Sequence, residues 1–423
     1  MPPNQPDEPD QSPDPIDPAD FTQWEARGGE SHTYTLSKNA ALRLDRYVQN
    51  RVKGFSRNQV QKLIALGAVT VNSKQVKPSL MLKEGDVVEI STPPKPGVNI
   101  EPEPIPLDIL YEDDDMIVIN KQAGIIVHPA RSYLCGTMLN ALAHHLIETG
   151  QAQSATLPQL PEDESDEEEE LTLIPGLSAV GADDARPGVV HRLDKNTTGV
   201  IVFAKRDSSH WLIAKQFESR TNLKAYLAVV HGCPDPHAGA IEEPIGKHPT
   251  IREAYAIQQE PRGKPSLTLY RVRERYQGYS LVELELKTGR THQIRVHLSY
   301  LGHPIAGDIL YGGEPITSAE ITTPPIPAGY RPYMNYAREK DEGRQLEQVA
   351  SANPDCIIAH PALHAALLQI KQPVTHELMT FTAPVHDAMA KLIRTLRQHP
   401  ESGPVVTSGT HVDLNQALPD HGE

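Results

Sequence analysis

Residues 188–205 read GVVHRLDKNTTGVIVFAK, a charged knot held between two apolar runs. Val189-Val190 precede the knot and Val200-Ile201-Val202-Phe203 follow it. Runs of β-branched residues bounded by Gly and Pro predict buried strands. The knot, His191-Arg192-Leu193-Asp194-Lys195, then has to be a tight loop at a sheet edge, where a rigid scaffold presents reactive side chains. Two readings of Asp194 stay open on these residues alone. It caps a turn through Asn196 and Thr197 and pairs with Arg192, or it is a nucleophile or base served by arginines and a tyrosine from elsewhere.

A chain of 423 residues has room for two or three domains. Its formal net charge is −15, but the charge is unevenly spread. Residues 1–30 carry eight acids and one arginine, and residues 161–170 carry eight acids, so −7 and −8 account for the whole excess. Within the neutral remainder, residues 38–90 hold ten Lys/Arg against four Asp/Glu. That local +6 is an electrostatic footprint for nucleic acid, with a solvated face as its bland alternative. Three cysteines, Cys135, Cys233 and Cys356, are far apart and form no CxxC pair, which points to a reducing cytosol. No apolar run approaches the ~18 residues of a membrane span. The acidic, Pro-rich N-terminus is unlike a signal peptide.

Along the chain, residues 1–33 predict a disordered acidic tail. Leu44, Tyr47, Val48 and Val52 recur at helical spacing. A second helix is expected from Ser56, with Gln59 completing a capping box. Val60, Leu63 and Ile64 form its buried stripe, and Gly67 ends it. Val69 and Val71 alternate as a strand, and Lys83-Glu84-Gly85-Asp86 turns into Val87–Ile90. The pattern LRLDRYV…SRNQVQKLIALGAVTVN…KPSLMLKEGDVVEI over 34–92 resembles the αL-type RNA-binding module of a small-subunit ribosomal protein and of tyrosyl-tRNA synthetases. Asn58, Gln61 and Lys62 turn away from the apolar stripe, with Arg57 at its border, so these four are the expected RNA-facing residues. Residues 93–106 read as a Pro-rich linker, and 397–423 as a disordered end.

HRLDKNTTG resembles the signature of the RluA-type RNA pseudouridine synthases. Glu112–Pro129 (EDDDMIVINKQAGIIVHP), Leu223–Gly232 (LKAYLAVVHG), Lys287–Leu298 (KTGRTHQIRVHL), Gly302–Gly312 (GHPIAGDILYG) and Pro361–Pro384 resemble further blocks of that family in collinear order. Gln122 stands where the family usually has proline, and Asn196 where it often has an acid. The resemblance implies an α+β chain. A catalytic domain over 107–396, with a mixed, largely antiparallel sheet, flanking helices and a central cleft, follows a small α+β RNA-binding module. Residues 150–186 and 313–357 fall between matched blocks and are expected as surface insertions.

By that resemblance Asp194 is the catalytic aspartate, attacking C6 or C1′ of the target or deprotonating its sugar. A carboxylate ionised in a dry pocket needs a cation beside it, and Arg290 matches the family arginine in that role. Tyr226 alternates with Ala225 and Leu227 on its strand and is implied to stack on uracil. Arg192 is implied to fill the base stack when the target flips out, with Gln293 and Ile294 walling the pocket. The implied partner is RNA, ribosomal RNA of the large subunit foremost and tRNA next, with no membrane and a monomeric state; the rival reading is a non-catalytic RNA-binding ribosome-assembly factor that keeps the fold. No cofactor is expected, since no GxxxxGK or GxGxxG is present. No metal is expected either. His360 and His364 are four apart but lack a third ligand, and His292 and His297 are five apart.

Overall fold

The structure, a computed structural model, describes residues 31–36, 42–52, 57–91, 100–129, 135–151, 174, 176–181, 186–321, 333–338, 345–346 and 352–418. The chain divides into two compact units, Met1–Gly97 and Val98–Glu423.

In the first unit, strand β1 (Ser31–Thr35) precedes helices α1 (Leu44–Arg51) and α2 (Arg57–Leu66), then β2 (Val69–Val71), β3 (Lys74–Gln75) and β4 (Val87–Ser91). The four strands form an antiparallel sheet in the order β1-β4-β2-β3. The helical spacing seen in the sequence buries Leu44, Tyr47 and Val48 of α1 against Val60, Leu63 and Ile64 of α2 and against Val69, Val71 and Val88 of the sheet. Gly67, at φ 86°, ends α2 in the left-handed conformation that glycine takes without strain. Ser56 and its capping box lie outside the described residues.

The second unit is built on one ten-stranded sheet. In chain order its first elements are β5 (Ile109–Glu112), β6 (Met116–Lys121), α3 (Met138–Glu148), β7 (Thr198–Ala204), α4 (Asp207–Glu218), β8 (Leu223–His231), β9 (Ala238–Glu242), β10 (Ile245–Lys247) and β11 (Tyr255–Ile257). Then come β12 (Leu267–Arg275), β13 (Tyr279–Leu286), α5 (Gln293–Leu301), a 3₁₀ turn at Ile309–Tyr311, β14 (Ile316–Thr317) and β15 (Cys356–Ile358). The last are β16 (Leu363–Lys371), β17 (Leu378–Thr382), α6 (Asp387–Arg397), β18 (Gly403–Pro404) and α7 (Leu414–Ala417). The sheet runs β18-β12-β13-β8-β16-β7-β6-β5, with β9 on β12 and β17 on β16. All its pairs are antiparallel except β7 with β16. This is the mixed, largely antiparallel α+β architecture expected from the sequence.

Both faces of the sheet are covered, so its central strands are apolar throughout rather than alternating. Ile117, Ile119, Ile201 and Phe203 pack on one face with Met138, Leu142 and Leu146 of α3 and Leu392 and Ile393 of α6. Met116, Val118, Val200 and Val202 point the other way, onto Ile213 of α4 and Ile370. Val189, expected in a strand, makes only an isolated bridge to Phe203. Among the described residues no helix is long and apolar enough to cross a membrane.

Three expectations about chain organisation need correction. Residues 100–106 of the expected Pro-rich linker are packed on the second unit. Ile100 is buried, the Glu103 N–H donates to the Asn140 carbonyl at 3.0 Å, and Asn140 Nδ2 donates to the Glu101 carbonyl at 2.8 Å. The described parts of the insertion 313–357 are anchored rather than a surface excursion. β14 pairs with β15, Ile316 and Ile321 are buried, and Asn335 bonds both the N–H and the carbonyl of Ile257. Residues 397–418 are likewise packed. β18 extends the sheet edge, Val412 and Ala417 are buried, and the N–H groups of His411 and Val412 donate to the fully buried Glu283 carboxylate. A few apolar and backbone groups at the right register dock these stretches, and composition averages hide them. The tail 1–30 and the acidic run 162–170 lie outside the described residues.

Glu283 also pairs with Arg273, so removing residues 403–423 leaves a buried carboxylate short of two donors, at a cost of about 1–3 kcal/mol. The truncated protein is expected to unfold at lower denaturant. An unchanged midpoint would show that the terminal segment adds nothing to the fold.

Candidate active site

The loop before β7 carries Asp194, and its position follows from the contacts on either side. The Thr197 N–H donates to the Asp194 carbonyl at 3.1 Å, closing a turn. Lys121, at the end of β6 and fully buried, donates from Nζ to the carbonyls of Gln122 and Lys195 at 2.8 and 2.9 Å. Burial pushes that lysine down to about 7, against the pull of Asp194 in the opposite direction. Gly199, at φ 105°, lets β7 lie parallel against β16, where a Cβ would overlap the Ala365 carbonyl. Tyr226 on β8 is paired with the same Ala365. One residue of β16 therefore registers the aspartate loop to the tyrosine strand.

Asp194 and Tyr226 both line a cavity of about 480 Å³ with Arg192, Arg290, Gln293 and Ile294. That volume suits one small ligand such as a nucleoside. Six Lys/Arg side chains line it against three acids: Arg192, Arg220, Lys224, Lys287, Arg290 and Arg295 against Asp194, Glu218 and Glu285. The cleft thus favours an anionic partner.

Arg295, not Arg290, faces Asp194. Its Nη1 lies 3.4 Å from Asp194 Oδ2. Its Nε and Nη2 form a fork on Asp308, at 2.7 and 2.8 Å, and its guanidinium lies over the Tyr311 ring at 4.9 Å. Arg290 sits in the turn before α5, where its Nε donates to the Pro265 carbonyl at 3.4 Å. The physical reason is helix phase. Arg295 falls within α5, between buried Ile294 and Val296, while Arg290 precedes the helix at the cleft wall. A sequence signal for Arg295 existed. An arginine flanked by apolar residues on a buried helix needs an acid partner, and GDILYG supplies Asp308.

His292 is a second residue that sequence reasoning missed. It caps α5 at φ 56°, a conformation that costs a non-glycine residue about 1–2 kcal/mol. Its Nδ1 lies 2.7 Å from the Tyr311 hydroxyl, which already accepts the Tyr255 N–H at 2.8 Å. Burial raises the pKa of Tyr311 above that of an ordinary phenol, so it keeps its proton and donates a hydrogen bond to Nδ1. The imidazole proton then sits on Nε2, 3.8 Å from Asp194 Oδ2. Burial first, then Arg295, pushes His292 down to about 4, so the ring is neutral at pH 7. For Asp194, burial raises the pKa, but His292, Arg295 and Arg192 outweigh it and hold the carboxyl below its usual range. With His292 neutral, the arginines carry the charge and His292 contributes its N–H dipole. Both contacts fall on Oδ2, and neither occupies Oδ1.

The other expected residues divide. Tyr226 is buried, and burial together with Asp194 raises its pKa, so it remains a neutral phenol. Arg192 is exposed at the cleft mouth. Gln293 is a staple rather than a free wall. Its Oε1 accepts from Thr288 Oγ1 and the Arg290 N–H at 2.8 and 3.0 Å, and its Nε2 donates to the Leu267 carbonyl and Thr268 Oγ1 at 3.0 and 2.9 Å. Ile294 is buried in the wall. His364 is engaged by Thr198 and the Ala383 carbonyl at 2.8 and 3.1 Å. In the first unit, Gln61 Nε2 is turned inward to the buried Asp45 at 2.9 Å, because that carboxylate needs donors. The side chains of Arg57, Asn58 and Lys62 lie outside the described residues.

The RNA pseudouridylate synthase family profile matches residues 115–300, and the S4 domain profile matches residues 42–88. The chain is 33% identical over 357 residues to an uncharacterized RNA pseudouridine synthase of Bacillus subtilis, covering 84% of this chain and 95% of that one. It is 36% identical to RNA pseudouridine synthase 2, chloroplastic, of Oryza sativa, over 84% of this chain and 80% of that one. Identity is 35% to ribosomal large subunit pseudouridine synthase D of Vibrio vulnificus, over 84% and 91% of the two chains.

The two arginines make opposite predictions. Arg295→Gln leaves the buried Asp308 unpaired and is expected to cost about 3–5 kcal/mol of stability. Asp194 should then titrate at higher pH, since a cation that lowers its pKa is gone. Arg290→Gln should stay within about 0.5 kcal/mol of wild type and leave that titration in place. Denaturant unfolding and NMR titration of the aspartate carboxyls test both; equal effects from the two changes would refute the assignment.

Proposed function

Because the chain belongs to the RNA pseudouridine synthases and carries an S4 RNA-binding domain ahead of the synthase domain, we propose that it isomerises uridine to pseudouridine in structured RNA with Asp194 as the catalytic carboxylate. The observation that carries this reading is an aspartate kept ionised in a cleft, with its Oδ2 3.4 Å from Arg295 Nη1 and 3.8 Å from His292 Nε2 and, among the described residues, no hydrogen bond to its Oδ1. Oδ1 is left for the substrate. The reaction breaks the N1–C1′ bond and makes the C5–C1′ bond; C5 loses a proton and N1 gains one. It needs no redox partner. Whether the carboxylate attacks the sugar, attacks the ring or takes a sugar proton, it must be ionised at working pH, and its lowered pKa supplies that.

Tyr226, as a neutral phenol, gives the ring a stacking face worth about 1–3 kcal/mol. Arg192, exposed beside the aspartate loop, takes the gap left by the flipped base, a task suited to a planar guanidinium. Large-subunit ribosomal RNA is the substrate this reading favours, supported by the name of the Vibrio vulnificus relative; tRNA is the alternative. Three free cysteines support a reducing compartment, the cytosol.

Mapping pseudouridines by chemical labelling in cellular RNA, with and without the gene, decides the substrate. Loss of a ribosomal site supports the reading, whereas loss only from tRNA moves the substrate. Asp194→Asn keeps size and fold but removes the charge, so conversion is expected to vanish while RNA affinity stays near wild type. Measurable conversion by this variant defeats the role of Asp194. Deleting residues 1–97 should weaken RNA binding and flatten its salt dependence, because fewer phosphate contacts release fewer counterions. An unchanged salt slope would assign the affinity to the catalytic unit instead.

A further inference from the structure

A second group of polar side chains lines the same cleft and takes no part in holding Asp194. Lys224 stands at the start of β8, half-buried, with its Nζ 5.5 Å from the centre of the Phe217 ring. That ring stacks on His191 at 4.4 Å. Arg220 and Asn222 flank the same end of the cleft wall. Asn222 Nδ2 is buried and has no hydrogen-bond partner among the described residues. Arg220 adopts a left-handed φ of 57° in the turn between α4 and β8.

We propose that Lys224, Arg220 and Asn222 form a phosphodiester subsite that holds a backbone phosphate flanking the target uridine. This rests on the reading that the cleft receives a flipped uridine of RNA.

Three observations carry it. The first is missing charge compensation. Among the described residues no carboxylate forms an ion pair with Lys224 or Arg220, and Glu218, the acid nearest in sequence, is exposed. An ammonium partly withdrawn from water without a counterion is unfavourable, and both burial and Arg220 act against its charge. An anion arriving from outside removes that penalty.

The second is the donor set. An ammonium, a guanidinium and an amide N–H offer donors, which suits a phosphate with its acceptor oxygens. A base edge mixes donors with acceptors. The third is placement. Lys224 and Tyr226 are two apart on one strand, so they share a face about 7 Å apart. Both line the cleft. If Tyr226 marks the uracil ring, Lys224 lies one pleat along, within the span from a nucleobase to its own backbone. The Lys224 Nζ lies over the Phe217 ring, which stacks on His191. His191 stays neutral there, pushed down to about 3 by burial and then Lys224, while its Nε2 accepts the Val202 N–H at 3.1 Å. Lys224 therefore supplies charge that the stack does not.

The test uses the full-length protein and short RNA substrates carrying one neutral methylphosphonate, either 5′ or 3′ of the target uridine. Wild type is expected to lose about tenfold in kcat/KM at one of the two positions, as for a charge-assisted contact. In Lys224→Met, which is already slower on unmodified RNA, the same neutralisation should cost less than about twofold, because the partner is gone. Arg220→Gln should show a partial version of the same loss. Equal costs in wild type and Lys224→Met at both positions overturn the subsite. Lys224→Met removes an uncompensated charge, so it should unfold no earlier than wild type; earlier unfolding contradicts the charge argument. If wild type makes no pseudouridine in unmodified RNA, the functional reading itself fails, an outcome distinct from equal costs in an active enzyme.

Discussion

The fork between Arg295 and Asp308 governs the rest of the site. Two of the guanidinium's donors are taken by a carboxylate that is 1% exposed, which fixes the direction of the third. That third donor meets Asp194. Buried ion pairs are weak evidence for stability, because desolvation offsets their attraction, but they orient groups well. Here orientation has a chemical use. An arginine free to swing would pair with both oxygens of Asp194 or leave it for solvent. Held by Asp308 and lying over Tyr311, it reaches one oxygen and keeps the carboxyl ionised.

The same economy appears around the loop. Lys121 holds the Lys195 carbonyl from below, and Gly199 brings β7 against β16 at the residue that also registers Tyr226. Tyr311 serves two groups at once, fixing the His292 tautomer and carrying the Arg295 guanidinium on its ring. Substitutions at Asp308, Tyr311 or Gly199 would thus reach the aspartate without touching substrate, through packing and hydrogen bonds alone.

Charge divides the labour along the chain. The acidic stretches at 1–30 and 161–170 set a net charge that looks unsuited to RNA. The module over 38–90 and the cleft lining are both cation-rich. Mobile phosphates respond to local potential within roughly a Debye length, about 8 Å at physiological salt, more than to the net charge of the chain. A whole-chain pI is accordingly a poor guide to what this protein binds.

Apolar pattern by itself determined the first unit's helices, by their 3.6 spacing, and the strand that follows the Asp194 loop, as a continuous apolar run; the rest of the large sheet was legible only through the family resemblance. The motif blocks also identified Asp194, Tyr226 and Arg192 as cleft residues. Only the tertiary structure decided which arginine faces the aspartate. Arg290 and Arg295 are five residues apart, and the choice depends on where α5 begins and on Asp308 thirteen residues further on. It likewise decided that Gln293 and Gln61 serve the fold, that 100–106 and 403–418 are docked, and that His292 points its Nε2 at a carboxylate. Each of these rests on a partner distant in sequence, as Arg295 is 101 residues from Asp194. Local pattern reports which face of an element is buried, while the identity of the group across that face is set by how the chain closes on itself.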